Sequence, residues 1–484
     1  MLIDPPFYRF MGYYNRYFPY GLVSIATALG RAGHSAVVYN ADQEAGASTV
    51  DFSNLPESYP AYLEQLASKD HPVWGELRET LETWAPDVVG LSCLTPKVAS
   101  VLRTAAEVKA WRQECFVVVG GPHATAMADE LLAIGPELDV VVVGEGERLM
   151  AELIASVAEH RVRPRHVVGP AAPMPPEEFG TIDRSVLSVS DVLSSEDMGL
   201  VMTSRGCPYR CAYCFSETMW GRRVRRRTVE AVVEEMDSVA GRYGTAQFTF
   251  KDDCFTLDQA WVARLCELLL ERGGRWVWDC VTRVDLIDRE LLELMRKAGC
   301  NSIKVGLESG SSRMLRLMDR GQDLDAILEA AALLRSSGIH WTAYFMTGLP
   351  GETAEDAQAT VRLMHQVKPD FASLSTYEPL PGTRLFAEGV RSGGVRPAMA
   401  REDFFRTLPN RYYLADPQRS GLAEMDRDEF ARLERDMKRD FGDYNRSPRR
   451  LLRRGWSRRR LYFREPALLW SDVKRAGAYL RTRS

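Results

Sequence analysis

The sequence predicts an α/β chain of 484 residues. An N-terminal doubly wound parallel sheet is expected first, then a partial (β/α)6 barrel, then a small, mostly helical C-terminal region. Three observations predict it. Apolar strand-like runs alternate with amphipathic helical stretches over the first 155 residues. The alternation resumes at longer period from about residue 197, in six units. Gly-rich turns stand at the ends of the early runs, where a backbone can approach a ligand closely. The length suits about three domains at ~150 residues each. The boundaries read as 1–155, a linker over 156–196, a barrel over 197–395 and a helical, basic region over 396–484.

The elements follow in order. Leu2-Ile3 is a short strand before the Pro5-Pro6 loop. Leu22, Ile25, Ala26 and Leu29 recur at helical spacing, and Ala36-Val-Val-Tyr39 reads as a strand. Asp87-Val-Val-Gly-Leu91 is a strand leading into Ser92-Cys-Leu-Thr-Pro96, with a helix over 98–112. Phe116-Val-Val-Val119 runs into Gly120-Gly-Pro-His123, with a helix near 126–134. Asp139-Val-Val-Val-Val143 precedes Gly144-Glu-Gly-Glu147, which opens another helix. Arg161-Val-Arg-Pro-Arg165 and Pro170, Pro173, Pro175 and Pro176 mark the linker. Barrel strands are expected at 199–202, 247–251, 276–280, 302–306, 341–347 and 371–377. Helices are expected at 228–243, 258–272, 288–298, 311–318, 323–337 and 353–367.

Apolar residues make up 45% of the chain, ample for a core. No run of ~18 uncharged apolar residues predicts a membrane span, and Met-Leu-Ile-Asp-Pro-Pro lacks the features of a secretory signal. The first strand is very short, which leaves room for a start upstream. Nine cysteines without a regular framework suggest a reducing, cytoplasmic setting. Cys93, Cys115, Cys254, Cys266, Cys280 and Cys300 read as small packing residues. Charge is uneven. Residues 446–484 hold 13 Lys and Arg against Glu465 and Asp472, a local balance of +11 in a chain of net charge −4. Residues 1–445 therefore carry −15. Such an end invites an anionic partner.

Chemistry is concentrated in Cys207-Pro-Tyr-Arg-Cys211-Ala-Tyr-Cys214. Three thiolates can hold three irons of a 4Fe–4S cluster and leave the fourth open for a ligand. Zinc usually takes a fourth protein ligand, often from a second pair. No such pair follows, and no His lies between His166 and His340. Three unrelated buried cysteines are the plain alternative.

This spacing, with Tyr213 before the last cysteine, resembles the radical S-adenosylmethionine (SAM) signature. The loops of residues 1–155 resemble the Rossmann-like cobalamin-binding domain that precedes many radical SAM barrels. They are Pro5-Pro6, Tyr20-Gly21-Leu22, Gly33-His34, Ser92-Cys-Leu94-Thr95-Pro96, Gly120-Gly121-Pro122-His123-Ala-Thr125 and Gly144-Glu145-Gly146-Glu147. The resemblance implies cobalamin at Pro5, Pro6, Ser92, Leu94, Thr95, Gly120, Gly121, His123, Gly144, Glu145 and Gly146. It implies cluster ligation by Cys207, Cys211 and Cys214. SAM contacts are implied at Tyr213, Asp252, Asp253, Arg283, Glu308, Ser309 and Gly348. A cap or structural ion pair stays open for Asp252, Asp253, Arg283 and Glu308. No Asp-x-His occurs, so the resemblance implies cobalt without a histidine beneath it, with His34 and His123 as structural or loop residues.

The combination implies a cobalamin-dependent radical SAM C-methyltransferase. Its 5′-deoxyadenosyl radical would open an unactivated carbon of a natural-product or lipid-like small molecule to methyl transfer from cobalamin. An external flavodoxin or ferredoxin would supply electrons. Two other readings stay open: a non-methylating relative such as a cyclase, oxidase or rearrangement enzyme, and a cobalamin sensor with a vestigial barrel. Methylthiolation of RNA fits less, because its N-terminal domain would need three further cluster cysteines and residues 1–155 offer Cys93 and Cys115. Asp403-Phe-Phe-Arg and Asn410-Arg-Tyr-Tyr413 read as an interface or substrate lid. Basic pairs interleaved with Leu451, Leu452, Trp456, Tyr462 and Phe463 suit peripheral contact with an anionic membrane. Nucleic acid could use the same charges but is not expected. A solvated tail packed on the barrel is the plain alternative.

Overall fold

The computed structural model describes residues 1–14, 18–43, 48–49, 55–160, 166–188, 193–457, 459–464, 469, 470 and 473. Arg161-Val-Arg-Pro-Arg165, Arg458, Glu465 and Asp472, which entered the linker and tail readings, lie outside them. The chain divides into two compact units. The first comprises Met1–Asp197, Tyr213–Arg223 and Glu378–Gln418; the second comprises Met198–Ala212, Val224–Tyr377 and Arg419–Ser484.

The first unit is built on a six-stranded parallel sheet. Its strands are β1 (Leu2–Asp4), β2 (Val38–Asn40), β3 (Val88–Ser92), β4 (Phe116–Gly120), β5 (Val140–Val142) and β6 (His166–Val168). The spatial order is β2-β1-β3-β4-β5-β6. Helices α1 (Tyr20–Arg31), α2 (Tyr59–Ala67), α3 (Pro72–Trp84), α4 (Val98–Trp111), α5 (Pro122–Ala126), α6 (Ala128–Ile134) and α7 (Gly146–His160) connect the strands. The strands are apolar because the helices leave them buried: Ile3, Val38, Val89, Val117, Val119, Val140 and Val141 are fully enclosed. The strand order reverses direction between β1 and β3, and a crevice at the carboxyl ends belongs at such a point.

Two stretches differ from the sequence reading. Within 156–196, residues 166–168 pair with β5 as an edge strand, and Leu187 bridges to Val38. The prolines that signalled a linker flank this short strand rather than replace it. Asp403-Phe-Phe-Arg and Asn410-Arg-Tyr-Tyr413, read as an interface or substrate lid, contribute rings to the core of the first unit. Phe404, Tyr412 and Tyr413 are buried in the first unit, where the Tyr412 hydroxyl donates to the Phe404 carbonyl at 2.8 Å. Arg401 grips Glu137 with two 2.9 Å contacts. Aromatic rings brought back from far along the chain close this core.

The second unit is a partial (β/α)6 barrel. Strands β7 (Leu200–Val201), β8 (Gln247–Phe250), β9 (Val277–Thr282), β10 (Cys300–Glu308), β11 (His340–Thr347) and β12 (Phe371–Thr376) lie in sequential, parallel order. Helices α8 (Val229–Tyr243), α9 (Gln259–Glu271), α10 (Arg289–Lys297), α11 (Ser312–Leu317), α12 (Leu324–Ser337) and α13 (Ala354–Val367) alternate with them. Each begins where an oxygen-bearing side chain can cap it. Thr228, Asp258, Asp288, Ser311, Asp323 and Thr353 each accept a hydrogen bond from a backbone N–H two or three residues into the helix. Alternate strand residues face the helices. Phe248, Phe250, Trp278, Ile303, Val305, Trp341 and Phe345 fill that layer, and polar residues line the inner face. Helix α14 (Arg427–Asn445) packs on β12, and its Asn445 side chain hydrogen-bonds both backbone groups of Ala372. Helix α15 (Pro448–Ser457) follows.

Candidate functional site

The three-cysteine loop leaves β7 at its carboxyl end, the end where barrels of this kind carry their chemistry. Asp252, just past β8, anchors the exit. Its carboxylate accepts from the Thr203 N–H at 2.7 Å, from the Thr203 hydroxyl and from the Ser204 hydroxyl at 2.6 Å. The side chain of Asp252 is therefore spent on holding the loop, which leaves its backbone to meet a ligand. Asp253 beside it is exposed.

Exposure separates the cysteines. Cys214 is exposed and Cys207 and Cys211 are half-buried, whereas the other six are buried. Buried thiols stay protonated and inert, so only the three in the motif are placed to react or ligate. Burial pushes the Cys207 thiol up to about 11, so its thiolate form needs a cation to stabilise it. Cys211 has two guanidinium groups within reach of its sulfur: Arg320 at 3.5 Å and Arg283 at 3.9 Å. The Ser216 N–H points at the Cys214 sulfur at 3.5 Å. These donors suit sulfurs that carry negative charge on a metal cluster.

Arg283 is fixed from every side. It makes two 3.0 Å contacts to Asp285, donates to the Arg320 carbonyl at 2.9 Å and lies 3.6 Å from the Tyr209 ring centroid. Burial acts against Asp285, but hydrogen bonds from Arg283 and Gln322 hold its carboxyl below the usual carboxylate range. Arg320 also donates to the Gly306 carbonyl at 2.7 Å and lies 3.6 Å from Glu308. Glu308 ends β10 at φ +66°, a conformation costly for a non-glycine residue and frequent at functional sites. Ser309 is buried, with its hydroxyl 3.2 Å from that of Thr360. Gly348 has φ +78°, and a Cβ there would meet Phe430 and Thr376 at 3.0 Å. Its N–H is held by Glu352, whose carboxyl burial pushes up to about 7. Tyr213 is half-buried. Arg320 escaped the sequence reading; its turn, Asp319-Arg320-Gly321, has positive φ on both flanks but no motif.

In the first unit, four of the loops singled out follow β1, β3, β4 and β5, at the carboxyl ends of these parallel strands. Backbone bonds join them: the Cys93 N–H donates to the Gly120 carbonyl at 2.8 Å and the His123 N–H to the Cys93 carbonyl at 3.0 Å. Gly121 sits at φ +102°, and a Cβ would come within 3.0 Å of the Cys93 carbonyl oxygen, so this approach requires glycine. The Gly144 N–H donates to the Thr125 hydroxyl at 3.1 Å. Pro5 and Pro6 are buried, while Ser92, Thr95, Gly120, Gly121, Gly144, Glu145 and Gly146 are half-buried and Leu94 is exposed. His123 is enclosed, with Nδ1 3.1 Å from the Thr95 hydroxyl and Nε2 3.5 Å from that of Tyr413. Burial pushes its pKa down to about 3, so the ring is neutral at working pH. His34, by contrast, is half-buried.

At the β1/β3 switch point stands a buried cluster. The Lys97 ammonium reaches Asp4 at 2.7 Å, Asp42 at 2.9 Å and the Pro5 carbonyl at 3.1 Å. Asp42 also accepts from the N–H groups of Phe7 and Arg9. Burial acts against the charged Lys97, but the two carboxylates outweigh it and raise its pKa. The Pro5-Pro6 loop is thereby tied to the β3 loop.

Two family models match the chain: the radical SAM superfamily over residues 201–364 and the B12 binding domain over residues 13–154. This chain is a radical SAM protein with a B12-binding domain. An uncharacterized methyltransferase of Pyrococcus horikoshii is 28% identical, over 68% of this chain and 77% of the relative. The anaerobic magnesium-protoporphyrin IX monomethyl ester cyclase of Rubrivivax gelatinosus is 29% identical, over 65% of this chain and 60% of the cyclase. The radical SAM methyltransferase TsrM from Kitasatospora setae, solved with tryptophan and an SAM analogue, shares the fold with a TM-score of 0.62 at 20% identity. The alignment covers 82% of this chain and 77% of TsrM. The cofactors of such a chain are a 4Fe–4S cluster, SAM and cobalamin.

Proposed function

We propose that this cobalamin-dependent radical SAM methyltransferase transfers a methyl group to an unactivated carbon of an amphipathic, lipid-like small molecule. The observation that carries the chemistry is the confinement of every accessible thiol to one three-cysteine loop, in a chain that also has a B12-binding domain. In this reading Cys207, Cys211 and Cys214 hold the cluster. When bound, the cluster supplies the electron that cleaves SAM to a hydrogen-abstracting radical, and cobalamin carries the methyl group. Arg283 and Arg320 set positive charge beside the Cys211 sulfur and orient it. Asp252 fixes the root of the loop, and Glu308, Ser309 and Gly348 shape the strand ends that meet SAM. The loops at Pro5, Pro6, Ser92–Thr95, Gly120–His123 and Gly144–Gly146 receive cobalamin. An external flavodoxin or ferredoxin delivers the electron. The domain assignment is cobalamin for 1–155 and SAM for 197–395, with the tail as a docking element.

The reading has a direct test. With the anaerobically reconstituted enzyme, methyl-labelled SAM and extract of the native producer, S-adenosylhomocysteine and 5′-deoxyadenosine should form together with labelled product. A second reading, ring formation without methylation, is favoured by the cyclase relative and gives 5′-deoxyadenosine alone.

Lipid-like character is supported by the tail. Among the described residues no helix is long and apolar enough to cross a membrane. Yet Leu452, Trp456, Phe463 and Trp470 are 76%, 68%, 87% and 69% exposed amid the densest basic stretch of the chain. Arg453 pairs with Asp370 at 2.8 Å and Arg450 stacks 3.4 Å from the Tyr444 ring centroid, so one side of α15 is fixed to the barrel. Leu452 and Trp456, four residues apart, point away together. Each basic residue near an anionic bilayer contributes about 1 kcal/mol within a Debye length. The full chain should float with anionic liposomes at low salt and release at high salt. The double variant Leu452→Ser, Trp456→Ser should float several-fold less; equal flotation would remove this support.

A further inference from the structure

A row of hydrogen-bonding side chains runs from α6 to the β3 loop, all within the first unit. At its far end Glu130 accepts from the Tyr413 hydroxyl at 2.5 Å and from the Met399 N–H at 2.8 Å. Burial raises the Glu130 pKa, but those two donors and the charge of Arg396 work against it and favour the carboxylate. A carboxylate only accepts, so the Tyr413 proton is committed to Glu130. His123 comes next. It is 1% exposed, with Nε2 3.5 Å from the Tyr413 oxygen and Nδ1 3.1 Å from the Thr95 hydroxyl. The Tyr413 oxygen has only lone pairs left to offer Nε2. A neutral imidazole carries one N–H and one bare nitrogen. The ring proton therefore belongs on Nε2, and the bare Nδ1 takes the proton of Thr95. With that proton committed, the Thr95 oxygen can only accept from a ligand. Tyr413 is held for this task at φ +65°, a conformation unfavourable for a bulky side chain, with the Arg396 N–H donating to its carbonyl at 2.7 Å.

We propose that Glu130, Tyr413 and His123 are positioning residues that hold Thr95 as a hydrogen-bond acceptor, and that Thr95 thereby selects a donor, a side-chain carboxamide N–H of cobalamin. Cobalamin carries carboxamides around its ring, and each offers N–H donors. A group that can only accept, such as a carboxylate, would meet lone pairs at Thr95 and be disfavoured. The identity of the ligand rests on the reading that these loops receive cobalamin; the direction of the hydrogen bonds does not.

Nitrogen NMR of the full chain, isotope-labelled at the histidine rings, reads the tautomer directly. The His123 signals, identified by their loss in His123→Asn, should show a protonated Nε2 and a bare Nδ1 at neutral pH. Tyr413→Phe keeps the ring and removes the link, and should shift the population toward a protonated Nδ1. A packing role for Tyr413 would leave the tautomer unchanged, which refutes the positioning role. Hydroxocobalamin binding is read by equilibrium dialysis with anaerobically reconstituted enzyme. Thr95→Val should weaken it about tenfold, because a buried N–H loses its acceptor, while Thr95→Ser retains it. The cobalamin monocarboxylic acid that lacks the N–H meeting Thr95 should bind wild type more weakly than cobalamin by a similar factor, and Thr95→Val should not tell the two apart. A protonated Nδ1 in wild type overturns the proposal. So does binding indifferent to Thr95→Val or to hydrolysis of every single amide. If Tyr413→Phe does not fold, the wild-type tautomer and the Thr95 pair decide alone: a bare Nδ1 with loss in valine and retention in serine supports the proposal, and anything else refutes it. Wild type that takes up no cobalamin would refute the cofactor reading of the loops and the proposed ligand with it; the other overturning results leave cofactor binding intact.

Discussion

Alanine at any one of Cys207, Cys211 and Cys214 abolishes reductive cleavage of SAM and lowers cluster iron, while Cys254→Ala leaves both near wild type. The contrast follows from position. Cys254 is 3% exposed, with its sulfur 3.8 Å from the Thr282 hydroxyl, so it packs rather than ligates. The motif cysteines stand on a loop whose root is clasped by Asp252 and whose middle sulfur faces two guanidinium groups. A cluster that needs three thiolates to keep one iron open cannot lose one and keep the same chemistry. Arg320→Met should behave differently. The ligand stays, but its orientation and its nearest positive charge are lost, at a cost of roughly 10–100-fold in activity or cluster retention. Iron and sulfide analysis with 5′-deoxyadenosine assay would check both claims. Full cluster and cleavage in the triple alanine variant would end the ligand assignment.

Much of the architecture was legible because its cause is local. Parallel strands buried on both faces are apolar runs, as in Val117-Val-Val119, and helix starts announce themselves through caps such as Asp258, Asp288 and Thr353. The three-cysteine loop was legible as a candidate site because its spacing is short-range. What escaped depends on distant parts of the chain. Strand β6 has three residues and joins only because β5 offers an edge. Phe404 and Tyr413 fell in stretches read as an interface or substrate lid, and nothing local announced that the Tyr413 hydroxyl reaches Glu130 across 283 residues of sequence, at 2.5 Å. Arg320 has no motif of its own and gains its place from Cys211 and Gly306. Asp252 was singled out in the sequence as a candidate SAM contact, with a cap as the alternative, but its side-chain partners were not legible, since Thr203 and Ser204 lie on another strand's exit. Lys97 was not singled out in the sequence, because its partners Asp4 and Asp42 lie 93 and 55 residues away along the chain.

Lys97 gives the second large effect. Lys97→Met removes the counter-ion of two carboxylates at the β1/β3 switch point. The Lys97 side chain is 2% exposed and that of Asp42 is 0%, so water cannot take its place. Breaking a buried ion pair by deleting one partner costs about 3–5 kcal/mol, because the remaining charge is left uncompensated. Domains are stable by only about 5–15 kcal/mol, so the loss is a large fraction of the whole. In a unit of about 250 residues, each kcal/mol moves the melting temperature by roughly 2–4 °C. The expected shift is thus about 6–20 °C in the transition of the first unit, read by calorimetry. Because Lys97 also holds the Pro5 carbonyl, the loop proposed to receive cobalamin should loosen with it. Cobalamin retention should then fall in parallel, measured by absorbance after gel filtration. Adding Asp42→Asn to Lys97→Met removes one of the stranded charges and should restore part of the loss, as coupling between contacting residues requires. A melting temperature within about 2 °C of wild type for Lys97→Met would show that the carboxylates find other compensation and that this cluster does not hold the loop.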